Sequence, residues 1–165
     1  MKKILALYFL ITAFVFCGCS LGNFFINDVE IHNSLVEKMD AVLLAEEKFY
    51  EEYWVLEENG DNTSFIEAYK VFKKSVEELD RFFGETEFVS AQKAFVEKYR
   101  WSYKPFVENY VNYAGDLAGK VENEEYSFGS IESYFDQLDE YTVDYVAIHN
   151  DLIDVINEQS DYPNK

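Results

Sequence analysis

Apolar residues recur along this chain in alternating steps of three and four, the spacing of one face of an α-helix, and no stretch alternates in steps of two. The first run, Ile31, Leu35, Met39, Val42, Phe49, Tyr53 and Leu56, predicts a helix over 28–58. Asn59-Gly60-Asp61-Asn62 is a turn signal, with Thr63 as a candidate helix cap. A second seam follows in Phe65, Tyr69, Phe72, Val76, Leu79 and Phe83, and Gly84 is expected to close that helix. The third segment opens at Thr86 or Glu87 and carries Phe88, Phe95, Tyr99, Phe106, Tyr110, Tyr113 and Leu117 on one arc, reaching about Val121. Pro105 lies inside it and predicts a kink between Trp101 and Pro105, because proline lacks the N–H that an α-turn needs. After a connection through Asn123 to Ser127, with Ser127 or Ser130 as cap, the last seam comprises Ile131, Phe135, Leu138, Tyr145, Leu152 and Ile156.

Four one-faced helices joined by short connections satisfy an all-α fold, an antiparallel up-down four-helix bundle over 28–159 with a tail at 160–165. An irregular helical array or a helical repeat is the alternative, although no self-similarity at a solenoid period is present. Helices of this length would make the domain a rod.

The N-terminus has a different pattern. Lys2 and Lys3 precede an uncharged apolar run from Ile4 to Phe16, the order of a secretory signal. Phe16-Cys17-Gly18-Cys19 ends it, and a small residue directly before a cysteine resembles the lipobox of bacterial lipoprotein precursors. The resemblance covers the signal only, and implies that residues 1–18 are removed and that Cys19 carries a lipid such as palmitate. Residues 19–27 then form a short tether, and the domain is extracytoplasmic, held to the cell membrane or outer membrane by that lipid. An uncleaved span from Ile4 to Asn27 is the competing reading; Gly18, Cys19, Ser20, Gly22 and Asn23 interrupt it.

Charge narrows the partners. The chain of 165 residues carries 32 acidic and 14 basic residues; loss of Lys2 and Lys3 leaves 12 against 32, a net charge of −20. Such a surplus of carboxylates disfavours nucleic acid and anionic lipid headgroups alike as partners, so an anchor must come from lipid or an apolar span rather than from a basic face. With Cys17 removed and Cys19 acylated, no thiol is left for a disulfide, a metal site or a nucleophile. The apolar content of 48% separates this acidity from that of a disordered chain.

Few residues point to chemistry. Glu46 falls within the apolar arc of the first helix, where a carboxylate needs partners; tyrosines such as Tyr99 or Tyr145 are expected to supply them. A carboxylate facing a bundle core also begins a diiron site, but the Glu-x-x-His pairs that such a site requires are missing: Val29 precedes His32 and Val146 precedes His149 by three residues. His149 sits on the fourth seam and His32 at the flank of the first; we read His149 as a buried, hydrogen-bonded group rather than a metal or haem ligand, and expect no cofactor. Trp101 lies opposite the third arc and, with Tyr103 beside it at the kink, forms the candidate binding surface. The expectation is a non-enzymatic, membrane-anchored binding or structural module of a bacterial envelope, with an envelope protein as a partner. The alternative is a helical carrier of an apolar small molecule or haem.

Overall fold

A computed structural model describes residues 26–59, 62–88, 92–125 and 128–160. The described residues form an all-α bundle: α1 (Ile26–Asn59), α2 (Asn62–Glu85), α3 (Lys93–Lys98), a π-helical turn (Tyr99–Tyr103), α4 (Lys104–Glu122) and α5 (Phe128–Ser160). No helix among the described residues is long and apolar enough to cross a membrane. The signal, Cys19 and the competing span up to residue 25 lie outside the described residues; Ile26 and Asn27, the last two residues of the expected tether, belong to α1.

The seams close on one core. Phe49 of α1 packs against Phe65 and Phe72 of α2, and Phe72 packs edge-on against Tyr110 of α4 and Tyr145 of α5. Numbers rising on one helix meet falling numbers on its neighbour. Tyr50 reaches Asp139 and Tyr53 packs on Phe135 between α1 and α5; Tyr103 meets His149 and Tyr113 meets Tyr134 between the third rod and α5. On α5 the buried positions Ile131, Phe135, Leu138, Thr142, Tyr145, His149, Leu152 and Ile156 alternate strictly by four and three. This is the seam of a helix that faces the bundle centre along its whole length.

Helix ends depart from the sequence expectation in three places. α2 starts at Asn62 and runs through Gly84 to Glu85, so Thr63 already lies inside the helix and Gly84 is not its left-handed terminus. The third rod begins at Lys93 rather than at Thr86; Phe88 instead folds back from the connection onto Phe83 and Phe95. α4 ends in a Schellman arrangement: Glu125 N–H bonds Lys120 O and Glu124 N–H bonds Val121 O, with Glu124 in the left-handed region at φ 56°.

The expected kink takes the form of a widened turn. Pro105 has no N–H for the carbonyl of Trp101, and its ring would press on that carbonyl. At the end of the π-turn the Lys104 N–H bonds Tyr99 O, five residues back, so the backbone bulges where an α-turn could not close.

Candidate functional site

At mid-height the apolar core is interrupted by polar side chains from three helices. Glu46 of α1 is fully buried, and Tyr110 of α4 donates to its Oε1 at 2.8 Å. Thr142 of α5 lies 2.7 Å from the Tyr110 hydroxyl, so the three side chains tie α1, α4 and α5 together. About one to two turns further along α5, Tyr145 and His149 form a second group with Tyr103 of the π-turn. The Tyr145 hydroxyl is 3.1 Å from His149 Nδ1, and Tyr103 is 3.3 Å from Tyr145 and 3.5 Å from the same nitrogen. All these groups are buried, and their positions follow from helical spacing: Thr142, Tyr145 and His149 share one stripe of α5.

Burial sets the charge state of this cluster. Desolvation pushes the Glu46 carboxyl up to about 7, against the hydrogen bonds from Tyr110 and Thr142, which favour its ionised form. Its second oxygen, Oε2, has no hydrogen-bond partner among the described residues. Desolvation lowers His149 to about 4, so its imidazole is neutral at physiological pH. Burial also raises the hydroxyls of Tyr103 and Tyr145 well above the ordinary phenol value, so both are neutral donors. At neutral pH the core therefore holds a partly protonated acid, a neutral imidazole and neutral phenols.

These contacts refine the sequence reading. Glu46 and His149 are buried as expected, but Glu46 takes its hydrogen bond from Tyr110, which is itself bonded to Thr142, rather than from Tyr99 or Tyr145. Tyr99 instead donates to Asp80 at 3.2 Å and stacks on Phe83. The pairing of Trp101 with Tyr103 on one surface is corrected: Trp101 is 82% exposed, whereas Tyr103 is 1% exposed and points into the core. The reason is simple spacing. Tyr103 lies four residues after Tyr99, one turn along the same face, and the wide turn carries it inward. Thr142 was missed, although its place in the unbroken four-three alternation of α5 marked it as a core position.

Among the described residues no three His, Cys, Asp or Glu side chains gather as metal ligands. An open surface cleft of about 430 Å³ lies near the other end of α4, lined by Gly115, Asp116, Gly119, Lys120, Glu125 and Tyr134. A Cβ at Gly115 would run into the Tyr69 hydroxyl and come within 3.1 Å of its ring, so a larger residue there would displace that side chain. No family model matches this sequence, no curated protein matches it, and no solved structure matches it.

Proposed function

We propose that the chain is a lipid-anchored, extracytoplasmic helical module of a bacterial envelope, which works by binding through its outer surface and not by catalysis. The observation that carries this reading is the contrast between a sealed centre and an exposed anchor. Rings of Phe49, Phe72, Tyr110 and Tyr145 pack on one another across the middle of the bundle, and the polar groups there, Glu46 Oε2 apart, are engaged with each other. Trp101, by contrast, stands in solvent. An envelope protein or another envelope component meets it there. A carrier of haem or an apolar molecule would need that centre open.

The test of the anchor is chemical. Cells fed labelled fatty acid should incorporate it into the wild-type chain and the Cys17→Ala variant, and Cys19→Ala should abolish the label. Label that survives loss of Cys19 removes the lipoprotein reading.

A further inference from the structure

We propose that Tyr145 is a one-electron redox site: it gives up an electron to a neutral radical oxidant such as nitrogen dioxide, passes its phenolic proton to His149, and is reached from the surface along a file of tyrosine rings. Neither the anchor at Cys19 nor a partner at Trp101 is needed for it.

Tyr145 has a proton acceptor built beside it. Its hydroxyl lies 3.1 Å from His149 Nδ1, the Tyr103 hydroxyl lies 3.3 Å from the Tyr145 oxygen, and all three side chains are buried. Burial keeps the imidazole neutral above about pH 4, so Nδ1 accepts from Tyr145 while Nε2 carries the ring proton. Loss of an electron turns a phenol into a far stronger acid than imidazolium, so the proton crosses as the electron leaves. Tyr145, His149 and nitrogen dioxide become a neutral phenoxyl radical, an imidazolium and nitrite: one O–H bond breaks, one N–H bond forms and one electron is transferred. The neighbouring phenol Tyr110 has its own acceptor in Glu46, but that carboxyl holds its proton below about pH 7, where His149 is still free to accept. In mildly acidic solution the hole therefore settles on Tyr145.

A route to the surface is present. From Tyr134, half-buried at the cleft beside α4, ring centroids follow at 5.0 Å to Tyr113, 5.5 Å to Tyr141, 5.3 Å to Tyr110 and 6.2 Å to Tyr145. Each step is that of rings in contact, across which an electron passes readily. Helical spacing makes the file: Tyr134, Tyr141 and Tyr145 share one side of α5, and Tyr110 and Tyr113 one side of α4. Phenylalanine is far harder to oxidise than tyrosine, so Phe49 and Phe72, packed on Tyr110 from α1 and α2, wall the file rather than extend it. The chain's net charge of −18 repels anionic oxidants and leaves neutral ones free to approach. Once formed, the radical is enclosed, since Tyr145 is 0% exposed and no second phenoxyl from solution can reach it to couple.

The experiment uses the full chain with Trp54→Phe and Trp101→Phe, which remove competing indoles, grown with histidine enriched in the heavy nitrogen isotope. Photolysed tris(bipyridine)ruthenium with persulfate supplies the one-electron oxidant at mildly acidic pH, and electron paramagnetic resonance reads the radical. A phenoxyl radical coupled to histidine nitrogen should form and outlive that of free N-acetyltyrosinamide several-fold. Tyr145→Phe should remove the coupling, His149→Gln should shorten the lifetime several-fold, and Tyr134→Phe at the surface end should slow formation while leaving the lifetime unchanged. The coupling is read with Tyr145 and His149 both in place, so it decides the question even where Tyr145→Phe does not fold. A hydrogen bond that serves packing alone would not prolong a radical, so a phenoxyl that lacks the coupling or decays as fast as free tyrosine overturns the proposal. Coupling that survives Tyr145→Phe in a folded chain places the radical elsewhere and overturns it as well.

Discussion

Glu46→Gln removes a buried ionisable group while keeping its shape, and the consequence for stability depends on His149 a few turns away. Burial raises Glu46 from its ordinary 4.5 to about 7 and lowers His149 from 6.5 to about 4. At 1.36 kcal/mol per pH unit each displacement is worth about 3 kcal/mol, with opposite signs. Between about pH 4.5 and 7 the fold holds a proton on Glu46 that the open chain has released, so Glu46 alone makes stability fall as pH rises. Between about pH 4 and 6.5 the open chain holds a proton on His149 that the fold rejects, so His149 alone makes stability rise. Across pH 4.5 to 6.5 the two cancel: folding moves one proton's worth of charge from the imidazole to the carboxylate without net uptake.

The wild type should therefore show a plateau in that window, measured by urea unfolding at fixed pH. Glu46→Gln should gain about 3 kcal/mol as pH rises from 4 to 6.5, and His149→Gln should lose about 3 kcal/mol from 4.5 to 7. Asp40 and Glu47, both raised by partial burial, act in the sense of Glu46, and His32, lowered by partial burial, in the sense of His149. The double variant measures that background and is subtracted. A Glu46→Gln profile parallel to wild type across pH 4.5 to 6.5 refutes the reasoning.

Two backbone positions give further tests by thermal or urea unfolding. Glu124→Gly should stabilise by roughly 0.5 to 1 kcal/mol, because a residue with a Cβ now occupies the left-handed position that ends α4; a loss would mean that the terminus is formed differently. Gly119→Ala, facing open space, should gain roughly 0.5 to 1 kcal/mol in helix stability. Gly115→Ala should forfeit that gain by displacing Tyr69, and Tyr69→Phe should restore part of it. Equal effects at Gly115 and Gly119 would show that Tyr69 does not fill the space beside α4.

Helix number, class and most core positions were legible because each seam obeys a single period, and burial of one helical face is what stabilises a bundle. Gly84 and Phe88 were misread for a related reason: local turn chemistry was weighed without the packing that decides it. Phe88 belongs to the helical arc by spacing, yet in the fold it closes over Phe82, Phe83 and Phe95 from a non-helical connection. The partners of Glu46 were illegible because hydrogen-bond pairing depends on the register between helices, and α4 takes its rotational phase from the turn before it. Trp101 was legible as an exposed residue, since its place opposite the arc of Tyr99 survives the local change in winding.

That turn did leave a mark in the sequence. Counting seven residues on from Tyr99 at a constant α-helical phase lands on Phe106, but the buried residue is Val107, and Phe106 lies half-buried against Tyr141. Besides Val96, the buried positions from Phe95 to Val107 are Phe95, Tyr99, Tyr103 and Val107, three consecutive steps of four. In a uniform α-helix each such step drifts by about 40°, so the seam would wander by about 120° and leave the core. A π-turn absorbs one residue, worth about 100°, and returns the seam to the core. Its location is set by Pro105, the residue that cannot bond to the carbonyl four back. The same bulge therefore places Tyr103 against Tyr145 and His149 and sets the phase that brings Tyr110 onto Glu46. Two features read separately from the sequence, the proline in the third helix and the carboxylate in the first, are in the fold the cause and the beneficiary of one change in winding.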